Sequence, residues 1–159
     1  MTPCKLGLGG NAVSEPYLFR PPATPLQTPV STCSQESYAR CRAMPHFLPR
    51  FYDLFLGKGP QIAARFDGVD MERQQRMLRA SLELVHLAAT SGVDPGFFLE
   101  PMAKRHSRDQ YDIKPALYAD WLDALLTAAE ECNPQFEEET RKAWAEIMMA
   151  GIRFMIARY

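Results

Sequence analysis

The chain has 159 residues, room for one domain and a tail but not for two full domains. Apolar residues make up 47% and aromatics 11%, enough for a single buried core. With 18 basic against 19 acidic residues the net charge is −1, so the chain shows neither the basic excess of a general nucleic-acid binder nor the charge block of an acidic tail.

Residues 1–33 stand apart. They hold six of the thirteen prolines and three of the nine glycines, and only Lys5, Glu15 and Arg20 are charged there. Such a stretch, without periodic apolar positions, cannot offset its ordering entropy by burial, and a disordered leader is expected. Pro22-Ala-Thr-Pro25 has the spacing of a polyproline ligand, although an extended leader accounts for it more simply. Gly7-Leu-Gly-Gly10 lacks the preceding strand and following helix of a dinucleotide fingerprint. No apolar signal region follows Lys5, and the late apolar run Ile147 to Ala157 is broken by Arg153 and too short to span a bilayer. Cys4, Cys33, Cys41 and Cys132 form no CxxC pair and no zinc spacing. Reduced thiols in a soluble, cytoplasmic protein are the expectation, with no membrane and no nucleic acid among its partners.

From residue 34 onward the pattern predicts an all-α domain of six to eight helices, 34–159. A short helix is expected over Ser34 to Arg42. The next carries Leu48, Tyr52 and Phe55 on one face and ends at Gly57. Gly59-Pro60 opens a turn or short helix reaching Phe66. Asp70 reads as the N-cap of a long helix to about Ser91, stopped by Gly92. Its apolar stripe holds Leu78, Ser81, Leu82 and Val85, with Gln74 at its head. Asp94-Pro95 restarts the chain, with Leu99, Met102, Ala103 and His106 on one face, and Ser107 to Asp112 is a loop. Lys114-Pro115 begins a helix with Leu117, Trp121, Ala124, Leu125 and Ala128 at helical spacing. Asn133-Pro134 reads as cap and first residue of the last helix, which buries Phe136, Trp144, Ile147, Met148, Gly151 and Met155.

Few residues offer chemistry. His46, between Pro45 and Pro49, reads as solvent-facing or capping, and His86 in mid-helix has no metal partner at helical spacing. His106 ends an apolar face just before a polar loop, open to a metal role or to a satisfied place in the core. Glu130-Glu131 and Glu137-Glu138-Glu139 flank a turn, and the second set suits the positive end of a helix dipole. Ser107 beside His106 is no nucleophile on adjacency alone. Tyr52 and Gln74 are polar residues on apolar faces. A buried Gln without a partner costs about 1–3 kcal/mol, so either the two bond each other or the backbone, or both face a cavity with a polar ligand.

Taken together, residues 34–159 resemble the bacterial globins, especially the haem domains of flavohaemoglobins and globin-coupled sensors. Phe51-Tyr52-Asp53-Leu54-Phe55 is similar to the family's distal-tyrosine helix, and Phe66, fourteen residues after Tyr52, to its haem-packing phenylalanine. Gln74 falls at the distal glutamine and Leu78 at the apolar residue one turn later. Lys104-Arg105-His106 resembles the proximal segment. Ile113-Lys114-Pro115 with Tyr118 resembles the start of the penultimate helix, and Ala143-Trp144 a pair on the last one. The eight positions from Phe66 to Gln74 leave no separate short helix, as in bacterial globins.

The resemblance implies a globin fold, a three-over-three helical sandwich around one haem b. Its iron would be held by His106, with Phe66, Leu78, Met102, Ile113 and Tyr118 against the macrocycle. Tyr52 and Gln74 would donate hydrogen bonds to a bound gas (O₂, CO or NO), with Trp121 crowding the distal side. The late glutamate of flavohaemoglobins would fall past Tyr159, which counts against activation chemistry. No reductase, kinase, cyclase or coiled-coil transmitter segment is evident. Reversible gas binding is therefore expected. A sensor acting through dimerisation or a separate signalling partner, and an NO dioxygenase served by an external reductase, are the alternatives.

Overall fold

The structure is a computed structural model that describes residues 29–159; the Gly7–Gly10 and Pro22–Pro25 motifs, and most of the expected leader, lie outside the described residues. Seven α-helices and a 3₁₀ turn follow in order: α1 (Pro29–Ala43), α2 (Phe47–Leu56), α3 (Pro60–Ala63), the turn Ala64–Phe66, α4 (Met71–Thr90), α5 (Pro95–His106), α6 (Leu117–Cys132) and α7 (Glu138–Ile156). Among the described residues no helix is long and apolar enough to cross a membrane.

Helix α1 starts at Pro29, so residues 29–33 are helical where the sequence pattern placed leader. Its buried stripe is Ser34, Ser37, Tyr38 and Cys41, spaced as one helix face but built from small and polar side chains. Helix α2 buries Phe47, Leu48, Phe51, Tyr52 and Phe55. His46 precedes it, exposed and without a capping bond. In α4 the Asp70 carboxylate accepts the Arg73 N–H at 3.0 Å, as a cap should, and Gly92 leaves the helix at φ +69°, a left-handed conformation that costs glycine little. Asp94 caps α5 by accepting the Gly96 N–H at 2.6 Å, with Pro95 in the first turn.

One expected boundary needs correction. Asn133-Pro134 does not start the last helix, which begins at Glu138. Asn133 instead closes α6, 2% exposed, with its carboxamide spent on a turn and on α1. Its Oδ1 accepts the Gln135 N–H at 3.1 Å and the Arg40 Nε–H at 3.3 Å, and its Nδ2 donates to Ser37 Oγ at 3.0 Å. An Asx turn of this kind competes directly with a helix start. Glu138 and Glu139 do occupy the first turn of α7.

Two apolar clusters hold the helices. The larger joins α1, α2, α4, α6 and α7 around Phe51, Leu125 and the fully buried Trp144; the smaller joins Ala88 of α4 to Leu99, Met102 and Ala103 of α5 and Met155 of α7. Tyr38, Phe47, His86 and Phe136 surround Trp144 edge-on, with ring centroids 5.9–6.2 Å away. The indole N–H has no hydrogen-bond acceptor among the described residues and lies within this aromatic cage.

His86 is the polar centre of the larger cluster. Its Nδ1 lies 2.8 Å from Leu82 O, and because a carbonyl only accepts, Nδ1 carries the proton. Nε2 then accepts from Ser34 Oγ at 3.1 Å, and the ring stacks on Tyr38 at 4.7 Å. Burial holds its pKa below the ordinary 6.5, the Leu82 bond opposing. The unfolded chain therefore takes up a proton near pH 6.5 that the native ring refuses, and stability falls as pH drops through that value. His86→Gln should flatten this decline in urea unfolding between pH 7.5 and 5.5, at a cost of about 1–3 kcal/mol at neutral pH. An unchanged slope would show that the proton is taken up elsewhere.

Candidate ligand cavity

Helices α2, α4, α5, α6 and α7 enclose a cavity of about 670 Å³, within the range of cofactor and small-molecule sites. All nine side chains singled out from the sequence line it. Tyr52 comes from α2, Phe66 from the 3₁₀ turn, Gln74 and Leu78 from α4, and Met102 and His106 from α5. Ile113 comes from the loop that follows, and Tyr118 and Trp121 from α6. Phe51, Phe55, Leu117, Met148 and Ile152 complete much of the apolar wall.

His106 is the last residue of α5. Its Nδ1 sits 2.8 Å from Met102 O, one turn back, so Nδ1 is the protonated nitrogen and Nε2 keeps its lone pair. Burial lowers its pKa from 6.5; the Met102 bond opposes this and the Arg105 charge adds to it. A neutral imidazole with one nitrogen fixed by a carbonyl is the form that ligates a metal.

Tyr52 is 4% exposed, and its hydroxyl donates to the main-chain carbonyl of Gln74 at 3.3 Å. The phenol thus bonds the backbone, and both residues line the cavity. Burial pushes the Tyr52 pKa up to about 12, against the Gln74 side chain, so the phenol keeps its proton at neutral pH. Burial does the same to Tyr118, which packs against the Leu99–Met102 cluster.

The edge of the cavity is cationic. Arg65, Arg73 and Arg105 line it with a single carboxylate, Asp70. The sequence offered no periodic signal for these arginines, all of them exposed.

No family model matches the chain, and no curated protein matches it. Among solved structures, the crystal structure of a Pseudomonas aeruginosa PAO1 protein, described as structurally highly homologous to a human haemoglobin, matches with a TM-score of 0.78. The two are 38% identical, and the match covers 82% of this chain and 98% of the other. The chain belongs to the globin family.

In this globin α4 and α7 meet at the cavity wall with the Val85 side chain set directly against the bare Cα of Gly151. A Cβ on Gly151 would lie 3.2 Å from both Val85 methyls, and both residues line the cavity. Gly151→Val should therefore lower stability by about 1–3 kcal/mol through overpacking. Val85→Ala in the same chain should recover part of the loss, so that the double variant loses less than the sum of the singles in thermal or urea unfolding. Strict additivity would mean that the contact does not set the helix spacing.

Proposed function

We propose that this globin holds a haem b through His106 and binds a diatomic gas reversibly, O₂ above all. The observation that carries the reading is the His106 imidazole, locked at Nδ1 by Met102 O and bordering the cavity with Nε2 unprotonated. The rest of the cavity fits the same group. Its apolar walls suit a macrocycle, and Arg73 and Arg105 at its edge suit the two carboxylates such a group carries. Bound there, the haem would supply an iron able to bind a diatomic gas.

The residues of the chain do the remaining work. His106 stays neutral and oriented because its other nitrogen is committed to Met102 O. Phe66, Leu78 and Trp121 exclude water from the side that Tyr52 and Gln74 line. Tyr52 keeps its proton and can offer it to a ligand that carries partial negative charge. That proton is already shared with Gln74 O, so a ligand has to compete for it. A hydrogen bond to a charged acceptor is worth about 1.5–3 kcal/mol. Competition with the carbonyl puts the expected effect near the lower end, about tenfold in dissociation rate.

Absorption spectra of the purified protein supplied with haem, in ferric, ferrous, O₂ and CO forms, test the reading. A Soret band with stable gas complexes is expected, lost or labile in His106→Ala; no haem uptake by the wild type would overturn the proposal. Tyr52→Phe should speed O₂ dissociation about tenfold and CO dissociation far less, because CO accepts hydrogen bonds poorly. Equal effects on the two gases would remove Tyr52 from the role.

A further inference from the structure

From Gly57 to Asp70 the chain passes along the cavity edge with few anchors. Ile62 is its one buried side chain, and Phe66 is half-buried against Tyr52 and Phe55, at 5.8 and 6.2 Å between rings. Lys58 pairs with Asp123 of α6. Toward the His106 side, the described hydrogen bonds of this segment are both made by Arg65: Nη1 donates to Tyr111 O and Nη2 to Asp112 O, each at 3.1 Å.

The loop that accepts these bonds is the one that leaves His106, and it folds back on the last turn of α5. Tyr111 N–H returns to Arg105 O at 3.0 Å, Asp112 N–H to Ser107 O at 2.9 Å, and Ile113 N–H to His106 O itself at 3.1 Å. Asp112 sits at φ +47°, a left-handed conformation that Asp adopts more readily than most residues with a Cβ. Two groups hold it here. Arg65 holds the Asp112 carbonyl, and the Tyr159 hydroxyl donates to its carboxylate at 2.6 Å, with the Arg108 guanidinium 5.0 Å over the Tyr159 ring.

We infer that Arg65 is a positioning residue for His106, a clamp that ties the segment bearing Phe66 to the loop closing α5. A planar guanidinium reaches two successive carbonyls with two N–H groups in a fixed fork; an ammonium is a point donor and cannot hold both. The clamp keeps Asp112 left-handed, and through the Ile113 bond it steadies the His106 backbone. The inference extends the proposed haem site, but its first test does not depend on haem.

Amide hydrogen exchange on the full chain, in wild type, Arg65→Lys and Arg65→Ala, reads the clamp at Tyr111, Asp112 and Ile113. Both variants should exchange these amides about fivefold to tenfold faster, the loss of a pair of charge-assisted bonds at an exposed site, while α6 amides are unaffected. Wild-type protection in Arg65→Lys would overturn the inference, since charge without the fork would then suffice. In haem-loaded protein, the iron–histidine stretching band of the reduced, gas-free form should shift or broaden in both Arg65 variants and hold in Arg76→Ala, which removes an equal charge from an exposed position on α4 that does not line the cavity. An equal shift in Arg76→Ala would also overturn it. A chain that takes up no haem defeats the haem proposal, and the exchange result still decides the clamp.

Discussion

Five helices of this chain have to stand apart around a space their own side chains do not fill. That space measures about 670 Å³ and is walled mostly by apolar side chains, the size and character of a site for a small apolar ligand. The two core clusters act as buttresses. One fixes α2 and α6 through Phe51 and Leu125, the other fixes α5 against α7 through Leu99 and Met155. Gly151 sets how closely α4 and α7 approach between them.

His86 and His106 show how little separates a histidine of the core from one that lines the cavity. Each donates Nδ1–H to the carbonyl four residues back at 2.8 Å, and burial lowers the pKa of each. The difference is the partner of Nε2. In His86 it takes the Ser34 hydroxyl inside an aromatic cage; in His106 the ring borders the cavity. The local bond is a property of the helix, whereas the fate of the second nitrogen depends on residues 52 positions away in the chain.

Periodicity therefore made some of the molecule legible and hid the rest. The faces of α2, α4 and α6 are dense in Leu, Phe and Ala, and many of the residues that line the cavity, among them Tyr52, Leu78 and Trp121, stand on those helices. Helix α1 starts five residues earlier than the sequence indicates, because residues 29–33 share the Pro-rich composition of the leader; two of the four residues on its buried stripe are serines, which only a partner such as His86 or Asn133 makes into core. The start of α7 was misread because Asn133 and Pro134 serve a turn as readily as a helix cap. The acceptor for Tyr52 and the carbonyls held by Arg65 are backbone atoms, and the identity of a side chain carries no information about them.

Helix α1 also has a consequence for how the molecule assembles. Its described side-chain bonds reach far along the chain, from Cys33 to Thr140, Ser34 to His86, Arg40 to Asn133 and Cys41 to Ala129. Contacts that close loops of 50 to more than 100 residues come at a large entropic cost, repaid only once their partners are in place. Docking of α1 therefore carries a closure entropy that its buried stripe, Ser34, Ser37, Tyr38 and Cys41, has to offset. No residue of α1 lines the cavity. Its influence on the wall passes instead through the core behind it, where Tyr38 packs on His86 and Trp144.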